Sequence, residues 1–438
     1  MSVCIIELND AEIRIAKDSN IVLRSPGVAV VGSENIYLGN EALERAYLTP
    51  RKTYNRYWQK LNQGTLQNPT ERYRHHADLA YAHLLSLYKQ AGKPEEVVFA
   101  VPGSFSDEQL SMLLGIAEAC LISVVGLVDS AVASTASIAD SELFQHLDIH
   151  LHQLVVSKLH IVEEVSRQSV EVIEEVGLNN IYTSIAGVLA DLFIKQSRFD
   201  PLHHAETEQV LYNQLPDCLH ILNDSKEVLL EIQFQQTTHQ AKLGRDLLLE
   251  ALQPIYQKML NGVSRTSPCH ITDRLATLPG FTALLPRVNV LSEEAVFEGC
   301  EKYNEAIRSV GPALNFVTSL PSSVLELVAT VDNSEELKVE TGGSATHVLV
   351  DHQAFSLGVE PLYLLPWGTC STSCQGDEIC SVTLKNNISN LQVENGKTVQ
   401  INGMDVKFSF VIKPGDKLNY SDSGAQYLFI KVLNSNGP

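Results

Sequence analysis

The chain has 438 residues, 44% of them hydrophobic, eight cysteines and a formal net charge of -20. That length exceeds one ordinary core and predicts two or three domains. No apolar run reaches the roughly 18 to 20 residues of a membrane-spanning helix, no basic region precedes an apolar stretch at the N-terminus, and the acidic balance excludes sequence-independent nucleic-acid binding, which needs clustered Lys and Arg. The expectation is a cytoplasmic protein with reduced, scattered cysteines, whose partners are proteins with basic or neutral surfaces.

The first forty residues alternate short apolar runs with polar punctuation: Val3 to Leu8, Ile13 to Ala16, Ile21 to Leu23, Val28 to Val31 and Ile36 to Leu38. This spacing predicts a meander of short strands. After Asn68-Pro69-Thr70, residues Tyr73, Ala77, Ala80, Leu84 and Leu87 form the stripe of a helix that Gly92 stops. Glu96 to Val101 reads as a buried strand closed by Pro102-Gly103. Ser106, three residues before Gln109, is a capping box for a helix reaching about Cys120. A strand from Ser123 to Leu127 and a small-residue helix from Ala131 to Ala136 follow, and this order predicts an α/β sheet.

Strands return at Leu143 to Leu151, Leu154 to Val162 and Ser169 to Val176. Helices follow near 180–196 and 204–222, then a strand from Glu227 to Gln233. Leu243 to Leu260 and Ser292 to Ser309 read as helices, the latter preceded by a β-like Val288 to Leu291. The second half thus repeats the order of the first, which is the organisation of a duplicated fold. Past Pro321 a linker, 321–344, ends at Thr341-Gly342-Gly343-Ser344. From 345 to 438 strand-like runs are separated by turns at Asn395-Gly396, Asn402-Gly403 and Pro414-Gly415-Asp416, which predicts a small β domain.

Two groups have the residue types of a metal site. His146, Asp148, His150 and His152 share one strand face by period two, but same-face neighbours are about 7 Å apart, so usually only two reach one ion. Cys370, Cys374 and Cys380 lack a fourth ligand at matching spacing. The expectation is a solvated or cleft-facing polar strand and a loop of free thiols. His75-His76 and His203-His204 read as surface residues. No Gly-x-Ser-x-Gly elbow, Gly-x-x-x-x-Gly-Lys-Ser/Thr loop or His-Glu-x-x-His helix is found.

Several stretches are similar in type and spacing to the ATPase domain of the heat-shock protein 70 family, within the actin, hexokinase and heat-shock superfamily. Val101-Pro102-Gly103-Ser104-Phe105-Ser106-Asp107 followed by Val128-Asp129-Ser130-Ala131-Val132-Ala133 is the clearest. Arg24-Ser25-Pro26-Gly27-Val28 with Leu38-Gly39-Asn40-Glu41-Ala42, and Ser292-Glu293-Glu294-Ala295-Val296, are others. The resemblance implies a duplicated actin-like ATPase fold over 1–320, two lobes around a central cleft, with a small all-β domain behind it. ATP or ADP with Mg is the cofactor it implies.

In that family glycine turns let backbone N–H groups approach phosphate. The first such motif falls on Glu7-Leu8-Asn9-Asp10-Ala11 and the second on Asp148-Ile149-His150-Leu151-His152, without glycine in either. The adenosine-side loop falls on Asp273-Arg274 through Pro279, and the catalytic lysine near Asn55-Arg56. Glu7, Asp129 and Asp148 keep the carboxylates that would position magnesium and water. Nucleotide contacts would then fall to Asn9, Asp10, Arg56, His150, His152, Asp273 and Arg274.

The resulting expectation is a pseudo-ATPase with weak or absent nucleotide binding, acting through protein contacts as a chaperone-like protein, scaffold or adaptor. An active ATP-hydrolysing chaperone and an actin-like assembly scaffold are the alternatives. In the C-terminal region, Val399-Gln400-Ile401-Asn402-Gly403 and Ile412-Lys413-Pro414-Gly415-Asp416 resemble part of a forkhead-associated sandwich, without its Gly-Arg and Ser-x-x-His signatures. His347 to Asp351 and Phe355 to Glu360 instead resemble the chaperone's substrate-binding β domain.

Overall fold

The apolar runs near the N-terminus become strands because each is short, rich in β-branched residues and bounded by turn-forming residues. In the computed structural model they are β1 (Cys4–Glu7), β2 (Ile13–Lys17) and β3 (Asn20–Ser25), paired antiparallel in sequence. Asp18 and Ser19, both at positive φ, make the tight turn between β2 and β3. β4 (Ala29–Val31), β5 (Ile36–Leu38) and β6 (Thr53–Tyr54) form a separate three-stranded sheet. Past helix His76–Gln90, β7 (Val97–Val101) joins β1 in parallel; past helix Asp107–Ala119, β8 (Val124–Asp129) joins β7 in parallel. Parallel neighbours need such crossovers, and β1 and β7 are buried along their whole length as central strands should be.

The second half uses the same plan. β9 (Leu143–Ile149), β10 (Gln153–Ile161) and β11 (Glu164–Glu174) form an antiparallel meander. Helices Leu178–Ser197 and Ala205–Asp224, the hairpin β12 (Glu227–Phe234) and β13 (Thr237–Gly244), and helix Arg245–Leu260 intervene before β14 (Cys269–Ile271) and β15 (Val288–Val290) add in parallel beside β9. The first sheet therefore runs β8-β7-β1-β2-β3 and the second β15-β14-β9-β10-β11, with the same order and the same strand senses. Each gains a sixth strand from one segment: β16 (Phe316–Val317) lies beside β8, and β17 (Ser319–Pro321) beside β11.

Some elements differ from the sequence expectation. Leu243 belongs to β13, where Ala241 and Leu243 are buried and Gln240 and Lys242 exposed; period two overrides the helical reading, and the helix starts at Arg245. The predicted helix from Ser292 is shorter and broken at Tyr303, as Ala295–Lys302 and Asn304–Ile307. Tyr73 precedes its helix, which starts at His76. The Ser106 capping box is formed, with Ser106 Oγ accepting from Gln109 N–H and Gln109 Oε1 accepting from Ser106 N–H.

The structure describes residues 3–33, 35–138, 143–161, 164–309, 314–322, 345–350, 353–366, 369–372, 378–385, 388–393, 397–402, 404–406, 409–420 and 425–430. Linker residues 323–344, with Cys374, Asn395, Gly396 and Gly403, lie outside them. The chain divides into two units, Met1–Asp332 and Asn333–Pro438. In the first, one core lies under each sheet, and a third, with Ile5, Val98, Val128, Phe144, Leu159 and Phe297, joins the two halves at their base. Among the described residues no helix is long and apolar enough to cross a membrane.

The second unit contains two antiparallel sheets over a shared core. One is made by strands His347–Val350, Gln353–Ser356, Val399–Ile401, Met404–Val406, Lys417–Tyr420 and Ala425–Ile430. The other is made by Leu362–Leu365, Thr369–Ser371, Cys380–Lys385, Ile388–Val393 and Ser409–Ile412. Its turns interlock: Asn402 Nδ2 donates to Asp416 Oδ1 at 2.8 Å, and Lys417 N–H donates to Asn402 Oδ1 at 2.9 Å.

At the shared base of the first unit, helix Ala295–Lys302 presses onto helix Ser130–Thr135 at Gly299, where an added Cβ would lie 1.8 Å from the Ala133 carbonyl oxygen. Gly299→Ala must separate the helices, and denaturant unfolding is expected to register a loss of about 1–3 kcal/mol.

Candidate functional site

The corresponding strands β1 and β9 end at Glu7 and Ile149, and the turns that follow them, 8–12 and 150–152, bind each other. Asn9 Nδ2 donates to Asp148 Oδ2 at 2.8 Å and to the Ile149 carbonyl at 3.0 Å. In return, Leu151 N–H donates to Asp10 Oδ1 at 2.9 Å, and His150 Nδ1 lies 3.3 Å from the same oxygen. Asn9, Asp10, Asp148, His150 and His152 are all buried. The polar strand face is thus turned toward the other half and not solvated. Gly177 is needed just behind it, since a Cβ there would lie 2.4 Å from His152 N.

Two guanidiniums reinforce this contact. Arg274 donates to both oxygens of Glu7, at 3.0 and 2.5 Å, and its Nη1 lies 3.6 Å from Asp148 Oδ1. Arg14 reaches the other way, donating to both oxygens of Asp273 at 2.9 and 2.6 Å. These are paired, planar contacts, the strongest arrangement of such groups, and Arg14, Arg274 and Glu7 are 4%, 6% and 2% exposed. Glu12 binds Arg14 at 2.5 Å and Arg24 at 3.0 Å, and Arg24 also binds Glu293 at 2.6 Å.

Five carboxylates, Glu7, Glu12, Asp148, Asp273 and Glu293, therefore meet three guanidiniums, Arg14, Arg24 and Arg274, all of them engaged, while a sixth, Asp10, faces His150. Burial alone would raise the Asp148 carboxyl, but Arg274, His150 and His146 with the Thr272 hydrogen bond hold it below the usual range. Burial would lower His150, yet the hydrogen bond to Asp10 and the charges of Asp10 and Asp148 raise it. A polyphosphate entering among these carboxylates would meet net negative charge, with Arg14, Arg24 and Arg274 already engaged.

Of the three carboxylates singled out for magnesium and water, Glu7 and Asp148 meet in this network and Asp129 stands apart. Asp129 caps helix Ser130–Thr135 through Ala131 N–H at 2.8 Å, and Arg167 Nη1 donates to its other oxygen at 2.5 Å. Burial raises its carboxyl, with Arg167 only partly offsetting this. Arg56 is separate too, hydrogen-bonded to Gln59 Oε1 at 3.1 Å.

At the opposite end of the cleft the halves also touch. Gln209 accepts from Tyr47 N–H at 2.8 Å and donates to the Leu43 carbonyl at 2.9 Å, while the Tyr47 and Tyr212 rings stack with centroids 3.6 Å apart. Sequence reading missed Glu12, Arg14, Arg24, Arg167, Gln209 and both tyrosines. All but Glu12, which pairs with Arg14 and Arg24, have a partner remote in the chain, so no local pattern marks them.

Among the described residues no group of three His, Cys, Asp or Glu side chains is placed to hold a metal ion. His152 Nε2 lies 3.1 Å from the Asn55 carbonyl oxygen. Cys370 and Cys380 both pair with Leu364 from opposite sides, two strand spacings or about 9–10 Å apart, too far to share one ion. A Ser–His contact, Ser25 Oγ to His83 Nε2 at 2.9 Å, is also structural. Trp58 Nε1 can only donate, and it donates to His83 Nδ1 at 3.1 Å. The Nε2 proton therefore points at Ser25, the wrong tautomer for a general base.

Removing Arg274 leaves Glu7 buried and unpaired, so Arg274→Met is expected to lose about 3–5 kcal/mol in denaturant unfolding, and the double variant with Glu7→Leu to regain most of it. Burial lowers His83 to about 3 and His146 to about 4 from an ordinary value of 6.5. The unfolded chain then binds protons that the folded chain does not, so stability present above pH 6.5 is lost as pH falls toward 4. His146→Gln is expected to make that decline shallower by up to about 1.4 kcal/mol per pH unit, read as unfolding midpoint against pH. Neither a protein-family model nor a curated protein matches the sequence.

Proposed function

We propose that this chain is a degenerate relative of the heat-shock protein 70 family, with an actin-like two-lobed first unit, that has lost nucleotide-driven cycling and acts as a protein-binding scaffold or adaptor in the cytoplasm. The observation that carries this reading is that the two turns meant for phosphate are bound to each other. Leu151 N–H, a backbone donor of the type that would meet a phosphate oxygen, is taken by the carboxylate of Asp10. The matching strand orders of the two sheets support the kinship, because duplication about a central cleft is what the resemblance implies.

A closed cleft changes what such a fold does. A relative that binds nucleotide uses it to favour one lobe arrangement over another. Here internal anions fill that role, so the lobes favour closure without a ligand. What remains is surface, and the net charge of -20 favours a protein partner with a basic or neutral face.

The test is thermal unfolding and calorimetric titration of the full chain with ATP and magnesium. The expected outcome is no rise in midpoint at millimolar nucleotide and no heat of binding. Micromolar, magnesium-dependent affinity, or hydrolysis stimulated by a peptide, would replace the scaffold with an active chaperone.

A further inference from the structure

Beside the contact between the two turns lies a cavity of about 470 Å³, and Asp10 and His150 of that contact form part of its wall. Its size is that of small-molecule sites. Helix Tyr57–Lys60 and the residue before it bring two cations to the lining, Arg56 and Lys60, while Asp10 and Glu174 bring two carboxylates. Neither cation is paired with a carboxylate among the described residues. The one hydrogen bond of Arg56 there goes to the neutral Gln59 side chain, which leaves most of its donors uncommitted. Asp10 uses Oδ1 for Leu151 and His150, and Oδ2 lies outside those bonds.

The backbone that carries these charges is tied together. Gln59 Nε2 donates to Gln153 Oε1 at 2.9 Å, which ties the cationic helix to β10, and Gln153 is the cross-strand partner of Glu174 on β11. Cross-strand neighbours stand about 4.5–5.5 Å apart. The cations and Glu174 are therefore within the reach of one small molecule. The rest of the lining is mixed, with Leu8, Ile13, Trp58, Phe105 and Val172 supplying its apolar part.

We propose that this cavity binds a small zwitterion with an apolar side chain, a free amino acid or a short peptide with both termini free. Arg56, seconded by Lys60, takes the carboxylate. Glu174 and Asp10 take the ammonium, and Trp58 and Phe105 cover the apolar body. This rests on the reading that the cleft takes no nucleotide, since Asp10, Arg56 and His150 line the cavity, but none of the ion pairs between Arg14, Arg274 and their carboxylates has to open.

The experiment compares leucine and glycyl-leucine with two truncated probes on the full chain, isocaproate without the amine and isoamylamine without the carboxylate. The expected result is a midpoint raised by a few degrees at about 10 mM zwitterion, with smaller shifts from both truncated probes. Arg56→Gln and Glu174→Gln should each weaken the calorimetric affinity for the zwitterion about tenfold or more. The better of leucine and glycyl-leucine identifies the source as amino acid or peptide. Absence of any shift, equal shifts from isocaproate and leucine, or affinity unchanged in both variants overturns the proposal. Should Arg56→Gln lose its unfolding transition, Lys60→Gln, at an exposed position, tests the cationic wall in its place.

Discussion

Two guanidinium–carboxylate pairs in opposite directions, Arg274 to Glu7 and Arg14 to Asp273, set the relation of the two halves of the first unit. Desolvating such pairs costs about as much as their attraction returns, so they are not the main source of stability. That source is the apolar core shared at the base, where Ile5, Val98 and Val128 of one half meet Phe144 and Leu159 of the other. The pairs supply selectivity. A planar fork meeting two oxygens tolerates little sliding or rotation, so an apolar contact with many near-equivalent arrangements becomes one arrangement.

The two turns carry no glycine in 7–11 or 148–152 and bury polar groups that need partners. Asn9, Asp10, Asp148 and His150 supply them for each other. Asp129 is likewise satisfied from within the fold, by Arg167 and the N-terminus of helix Ser130–Thr135. Glu7, Asn9, Asp10 and Asp129 of one half thus each find a partner in the other.

Much of the architecture was legible in the sequence because strand and helix periods are local. The meander before residue 40, the Ser106 cap and the strands-then-helices repeat all appear in their expected places. Turns without glycine were legible as well. What replaced them was not, since Arg14 and Asp273 are 259 residues apart and Arg274 and Glu7 are 267 apart, and a lone Arg in a strand carries no sign of its partner. The face carrying His146 and Asp148 shows the limit of periodicity: period two identifies a face, but only tertiary packing decides whether water or another lobe covers it. The β12–β13 hairpin was half legible, because Leu243 fits both a strand end and a helix start.

The segment Phe316–Pro321 has a mechanical consequence. It edges one sheet with two residues and the other with three, with only Thr318 between them, and the Thr318 carbonyl accepts from Arg167 N–H at 3.0 Å. The two sheets are therefore sewn together by a single peptide stitch at the point where the chain departs toward its second unit. Tension on the chain beyond Pro321 bears first on the short antiparallel pairing of 319–321 with β11, and only then on 316–317. A pull transmitted from a partner held by the second unit would reach both halves in sequence through this stitch, making it the natural point at which force, as opposed to a ligand, loosens the lobes.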